Sequence, residues 1–263
     1  MRPARTPEYL IEAALLGGFM LSACAFSILL FGQASPVARL VPDATPRRVL
    51  MGLAMGLTAV TLIYSPWGRR SGAHMNPAVT LTFWRLGKVK GPDALGYVAA
   101  QFAGGLAGVW LAARLFGPAL AQPSVRYAAT VPGAFGSLAA WGGEFVISFL
   151  MMSMVLRLSN HPRWNHWTGL AAGLLVATWI TFEAPVSGMS MNPARTLGSA
   201  VPGHVFDALW IYFTAPPVAM LAAAALYRLG DPARRVACAK FDHPSHGPCH
   251  FRCRFGEMAH GNG

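Results

Sequence analysis

The stretch Ser71-Gly72-Ala73-His74-Met75-Asn76-Pro77-Ala78-Val79-Thr80-Leu81 recurs later in the chain as Ser187-Gly188-Met189-Ser190-Met191-Asn192-Pro193-Ala194-Arg195-Thr196-Leu197. Eight of the eleven positions hold the same residue, too many for two unrelated apolar segments. The chain therefore reads as two copies of one unit, and the copied element is where function is to be sought.

The medium in which the unit works follows from composition. Of 263 residues, 54% are hydrophobic and only 12% charged, with a mean hydropathy of +0.42. The apolar residues fall in blocks about long enough to cross a ~30 Å hydrocarbon core. A signal peptide is not expected: the first block, residues 9–31, lacks a small-residue cleavage site and is followed by more of its kind. The formal charge of +11 does not point to nucleic acid. Lys and Arg lie between the apolar blocks and do not cluster with aromatics on one face, so the partner they imply is the lipid bilayer.

Apolar runs bounded by Pro, Gly and charge predict six crossings, at about 8–32, 47–65, 93–116, 137–158, 166–184 and 205–228. Two shorter apolar pieces, 76–87 and 192–201, each open on Asn-Pro-Ala and are predicted half-helices. With both termini in the cytoplasm, fifteen of the 21 Lys and Arg fall inside and six outside, which favours that orientation. Each unit then holds three crossings, about 8–116 and 137–228, so the second enters the membrane inverted. The fold class is an all-α membrane protein of six transmembrane helices and two re-entrant half-helices in an inverted repeat. Residues 1–230 are expected to form its membrane domain and 231–263 a cytoplasmic tail. The bacterial inner membrane is the expected location.

Proline at the first helical position gives up no intrahelical hydrogen bond, and asparagine is a favoured N-cap. Asn76-Pro77-Ala78 and Asn192-Pro193-Ala194 are thus expected at helix mouths with free side-chain amides. A helix N-terminus carries about half a positive charge, so two such ends meeting in mid-membrane repel cations and protons but not a neutral solute. The irregular backbone before each tip, Gly72-Ala73-His74 and Gly188-Met189-Ser190, must line a wet path or be buried in protein, and is read as a ladder of carbonyl acceptors. Glu12 and Glu144 lie in the first helix of each unit; buried acids need partners, and bracing the re-entrant loops is the reading preferred over contact with solute.

In these motifs and their order the chain, over about residues 8–228, resembles the aquaporin, or major intrinsic protein, superfamily. The two Asn-Pro-Ala loops are its signatures, and Glu12, Gln101 and Glu144 stand where its motifs place them. The resemblance implies a homotetramer with one pore per protomer, and a narrowest ring formed by Met55, Ile180, Met189 and Arg195. Gly56 is the alternative to Met55, because residues 65–70 run one residue longer than the usual pattern. Met55 and Ile180 stand where water-selective members carry an aromatic and a histidine. The spacing from Gly169 to Asn192 is similar to the plant nodulin-26-like branch and its bacterial relatives, which pass water with small neutral solutes. The expectation is a passive channel for water or small uncharged solutes such as glycerol or metalloid hydroxides, not an enzyme. A secondary transporter with inverted repeats is the alternative.

In the tail, Cys238, His243, His246, Cys249, His250 and Cys253 occur within sixteen residues. Thiolates and imidazoles at this density suit Zn, Cu(I) or trivalent arsenic, and would make the channel metal-responsive, although the spacing matches no standard zinc module. The other reading is a disordered basic tail resting on anionic lipid. No cofactor is required by either.

Overall fold

The computed structural model describes residues 5–229, 236–243 and 249–256. Its helices are α1 (Thr6–Phe31), α2 (Pro36–Leu40), α3 (Ala44–Tyr64), α4 (Pro66–Ser71), α5 (Pro77–Arg85), α6 (Gly91–Phe116), α7 (Gly136–Ser159), α8 (Thr168–Phe182), α9 (Ala184–Ser187), α10 (Pro193–Gly203) and α11 (Leu209–Leu229). Among the described residues there is no strand.

Five helices, α1, α3, α6, α7 and α11, are long and apolar enough to cross a bilayer. The crossing predicted at 166–184 is the exception, because α8 has only 15 residues. At 1.5 Å per residue that is about 22 Å, short of the hydrocarbon core. Its reach is extended by a 3₁₀ turn at Asn165–Trp167 before it and by α9 after it. The half-helices are α5 and α10, each starting with proline after an asparagine cap.

Side-chain contacts sort the helix ends onto two faces. Arg70 pairs with Glu8, the Tyr64 hydroxyl meets the His166 carbonyl, and Asn160 receives the Ala237 N–H. These contacts gather the start of α1, the end of α3, the end of α7 and the tail on one side, the tail face. On the far face the Gln33 N–H reaches Gln122, and Arg48 reaches the Thr181 carbonyl. The α5 tip enters from the tail face and the α10 tip from the far face, as an inverted repeat requires.

Lipid offers no hydrophobic drive for helices to associate, so they hold together by close backbone packing over small residues. A Cβ on Gly104 of α6 would stand 2.1 Å from the Ala13 carbonyl oxygen of α1. The same intimacy joins α3 to α8, where a Cβ on Gly56 would meet the Gly173 oxygen at 2.5 Å. Facing outward, by contrast, are large apolar side chains such as Leu10, Leu57, Leu138 and Leu174. That arrangement, small inside and large outside, suits a lipid surround.

Gly104→Ala is therefore expected to push α1 off α6 and destabilise the protein by about 1–3 kcal/mol. Gly18→Ala on the same helix pair, where a Cβ meets nothing within 4 Å, is the control. Thermal unfolding in detergent should show a lowered Tm for the first and none for the second.

Candidate functional site

The two half-helix tips meet inside the molecule and exchange hydrogen bonds. Asn76 Nδ2 donates to the Met191 carbonyl at 2.7 Å, and Asn192 Nδ2 donates to the Met75 carbonyl at 2.7 Å. Each side-chain oxygen caps its own helix: Asn76 Oδ1 accepts from the Ala78 N–H, and Asn192 Oδ1 from those of Ala194 and Arg195. The amides expected to be free are thus half committed. A primary amide has two N–H donors, so one per asparagine remains for a solute.

The loop before each tip is bent through left-handed backbone. Gly72 (φ 100°) and Gly188 (φ 83°) accept this without a Cβ penalty, but Ala73, Met75, Met189 and Met191 adopt it too, with φ between 48° and 55°. For a residue with a side chain this costs roughly 1–2 kcal/mol. Glu12 and Glu144 compensate. Glu12 accepts from the His74 and Met75 N–H groups, the Ser71 hydroxyl and Gln101 Nε2. Glu144 accepts from the Ser190 and Met191 N–H groups and the Ser187 hydroxyl. Hydrogen bonds to a charged group are worth about 1.5–3 kcal/mol each, enough to hold a strained residue in place. Both carboxylates are fully buried, and the cavity does not touch them.

A single cavity of about 440 Å³ passes between the tips. Asn76 and Asn192 line its middle, Phe31, Arg48 and Ser124 its far-face end, and Ile63 and Phe241 its tail-face end. Ala73, His74, Gly188, Met189 and Ser190 line it as the ladder reading requires, but Gly72 does not. Its carbonyl faces the tail and accepts the Phe241 N–H at 3.3 Å. Met55, Ile180, Met189 and Arg195 all reach the cavity. Gly56 is turned against α8 instead, so α3 presents Met55. The Arg195 guanidinium is held by the Ala128 carbonyl at 2.7 Å. Among the described residues no Asp or Glu lines the cavity, and Arg48 and Arg195 are its cations.

Comparison with known proteins agrees with this geometry. A profile of the family described as Major intrinsic protein matches residues 12–227. The chain belongs to the major intrinsic protein family. It is 36% identical over 175 residues to a probable aquaporin NIP-type of Nicotiana alata, a match covering 66% of this chain and 63% of that one. It is 39% identical over 178 residues to aquaporin NIP2-3 of Zea mays, covering 66% and 56% respectively. These matches span less than two thirds of either relative. A solved structure titled as the aquaglyceroporin from Plasmodium falciparum superposes with a TM-score of 0.67 at 18% identity, covering 85% of this chain and 96% of that one, which establishes the shared fold. The NIP names fit the nodulin-26-like resemblance. Because these named relatives are plant proteins, they lend the bacterial inner membrane no support; membrane residence itself stands on the family and the apolar spans.

Several residues of this family member's site escaped the motif reading. Arg48, Met51, Ala59 and Ile63 line the cavity with Met55 as one stripe of α3, a helical periodicity the sequence displays. Tyr97 and Tyr212 are a symmetric pair whose hydroxyls donate to the Ser71 and Ser187 carbonyls, adding a second tie to each loop besides its carboxylate. Glu183, at the end of α8, has both carboxyl oxygens closed off from solvent beside Gly143. In the tail, His246 lies outside the described residues. His250 does not join the thiols: its Nε2 meets the Tyr97 hydroxyl at 2.8 Å, and burial, aided by Lys240 and Arg5, pushes its pKa down to about 3.

Replacing Glu12 or Glu144 by Ala removes several acceptors from strained, buried backbone and is expected to destabilise the protein by at least about 3 kcal/mol. Gln keeps one acceptor but turns N–H toward N–H, so it should fall between wild type and Ala. Unfolding by denaturant in detergent should rank the three in that order at both positions.

Proposed function

We propose that the chain is a passive channel for water and small uncharged solutes, of the size of glycerol or a metalloid hydroxide, and that it excludes protons and ions. The observation that carries this reading is the cavity itself: it threads between two helix N-termini, carries two arginines and, among the described residues, no carboxylate. Two N-terminal dipole ends and two guanidiniums set a positive potential in a low-dielectric passage, which raises the energy of any cation there. A neutral solute feels no such barrier and can trade its water for the asparagine N–H groups and the loop carbonyls.

The same observation disfavours a secondary transporter driven by Na⁺ or H⁺, which needs an acidic coupling site on its path. Within the passage we assign the narrowest ring to Met55, Ile180, Met189 and Arg195. Two thioethers and an isoleucine give that ring an apolar, compliant wall, while Arg195 supplies fixed donors to a solute oxygen. This is a filter for small amphiphilic solutes and not for water alone. No residue is assigned a catalytic role. A homotetramer with one pore per protomer is the assembly we propose on the family's precedent, with the tail face cytoplasmic on the balance of Lys and Arg.

Stopped-flow light scattering on proteoliposomes tests the reading. Wild-type protein stripped of bound metal should accelerate both water and glycerol movement over empty liposomes while an imposed pH gradient persists. The double substitution Met55→Phe with Ile180→His should retain water flux and lose most glycerol flux. Equal glycerol flux in the two proteins contradicts the filter assignment, and a collapsing pH gradient contradicts the channel's selectivity.

A further inference from the structure

The tail does not trail into solvent or lie on lipid where it is described. Residues 236–243 and 249–256 fold against the tail face, and four of their side chains converge on one point. Cys238 Sγ, His243 Nε2 or Nδ1, Cys249 Sγ and Cys253 Sγ all lie within 4.8 Å of one another. Cys238 and Cys249 stand 3.4 Å apart, and Cys253 Sγ lies 3.1 Å from His243 Nε2. An ion bonded tetrahedrally to sulfur at ~2.3 Å and to nitrogen at ~2.0 Å separates its ligand atoms by about 3.5–3.8 Å, so this set needs only small shifts to close on one.

The surroundings resemble the second shell of a metal centre. The Phe255 N–H donates to Cys253 Sγ at 3.4 Å, and the Phe255 ring stacks on His243 at 4.7 Å. Asn160 Oδ1 accepts the Cys238 N–H, and Asn165 Nδ2 donates to the His243 carbonyl at 3.1 Å, fixing the backbone beside two of the four ligands. Such outer contacts orient ligands before the metal arrives. Three thiolates and one imidazole make a closed four-coordinate set, which suits Zn²⁺. Trivalent arsenic is satisfied by three thiolates and has no need of the imidazole.

The position of the cluster matters as much as its composition. Cys238 and His243 bracket Phe241, and Phe241 is the tail residue that lines the tail-face end of the cavity. Between the same ligands, the Ala239 carbonyl accepts from His74 Nε2 at 2.8 Å and the Phe241 N–H reaches the Gly72 carbonyl. Phe251, between Cys249 and Cys253, stacks on the His74 ring at 5.4 Å, opposite Phe83 at 5.3 Å. Both loops closed by the cluster therefore touch the first half-helix's approach.

We propose that Cys238, His243, Cys249 and Cys253 bind one Zn²⁺ ion, and that the bound ion fastens Phe241 into the tail-face mouth of the pore and closes it. The zinc site stands on the cluster alone, whereas the gate rests on the channel reading.

The test uses full-length protein loaded with or stripped of zinc in detergent before reconstitution. Elemental analysis should find about one zinc per protomer in wild type, and Co²⁺ should replace it with the absorption of tetrahedral thiolate coordination. Cys249→Ser with Cys253→Ser should weaken binding by about a hundredfold or more. Stripped wild type should pass water several-fold faster than loaded wild type, while Phe241→Ala should bind zinc normally and stay open when loaded. Failure of wild type to hold zinc from micromolar Zn²⁺, or a Cys238–Cys249 disulfide in its place under reducing conditions, overturns the site. Full zinc occupancy with equal water flux in loaded, stripped and Phe241→Ala protein overturns the gate. If that equal flux is no greater than in empty liposomes, the channel reading falls with the gate, and the zinc analysis is judged on its own.

Discussion

Two asparagine side chains, each donating to the backbone of the other's helix, fix the centre of this molecule. Asn76 reaches the carbonyl just before Asn192, and Asn192 reaches the carbonyl just before Asn76. Two helix N-termini would otherwise repel each other, since both present the positive end of a dipole. The exchange holds them tip to tip and still leaves one donor on each amide. Everything around the tips serves that meeting. Glu12 and Glu144 hold the strained approaches, Tyr97 and Tyr212 pin the same loops by a second bond each, and glycine contacts bring the crossing helices close enough to enclose them.

The inverted symmetry extends to what covers each tip, although the covering segments are unrelated in sequence. On the far face the connection between α6 and α7 does the covering: the Ala128 carbonyl holds Arg195, and the Gly133 N–H bonds the Val186 carbonyl. On the tail face the C-terminal tail takes that part, through Ala239 and Phe241 on the first loop. One cover joins the two repeats and is tied at both ends by helices. The other is an appendage whose two described pieces meet at three cysteines and a histidine. That difference makes the tail-face mouth the one that the proposed zinc site could control.

Much of this was legible in the residues before any coordinates. The duplicated Asn-Pro-Ala element placed both half-helices within a few residues of α5 and α10, and Pro77 and Pro193 begin them for the reason the sequence suggests. Two isolated acids in apolar helices pointed to buried partners, because a carboxylate without them is too costly to keep. What stayed hidden depends on long-range contact. Gly72 shares its motif with Gly188, yet the tail claims its carbonyl. The length of α8 was overestimated because its ends pass into a separate 3₁₀ turn and a second short helix, breaks that hydropathy does not mark. His243 and His250 are alike in composition and differ only in what the fold sets beside them: thiols for one, a tyrosine hydroxyl for the other.

The central claim is that the two tips hold each other, and a double-mutant cycle on Asn76 and Asn192 measures that most directly. Asn76→Ala, Asn192→Ala and the double substitution should be compared by denaturant unfolding in detergent, with each single change removing one cap and one crossing bond. If the tips pin one another, the double mutant loses less than the two single losses combined, with a coupling of about 0.5–3 kcal/mol. Strict additivity would mean that the two crossing bonds act independently and the tips do not pin one another, and would contradict the account.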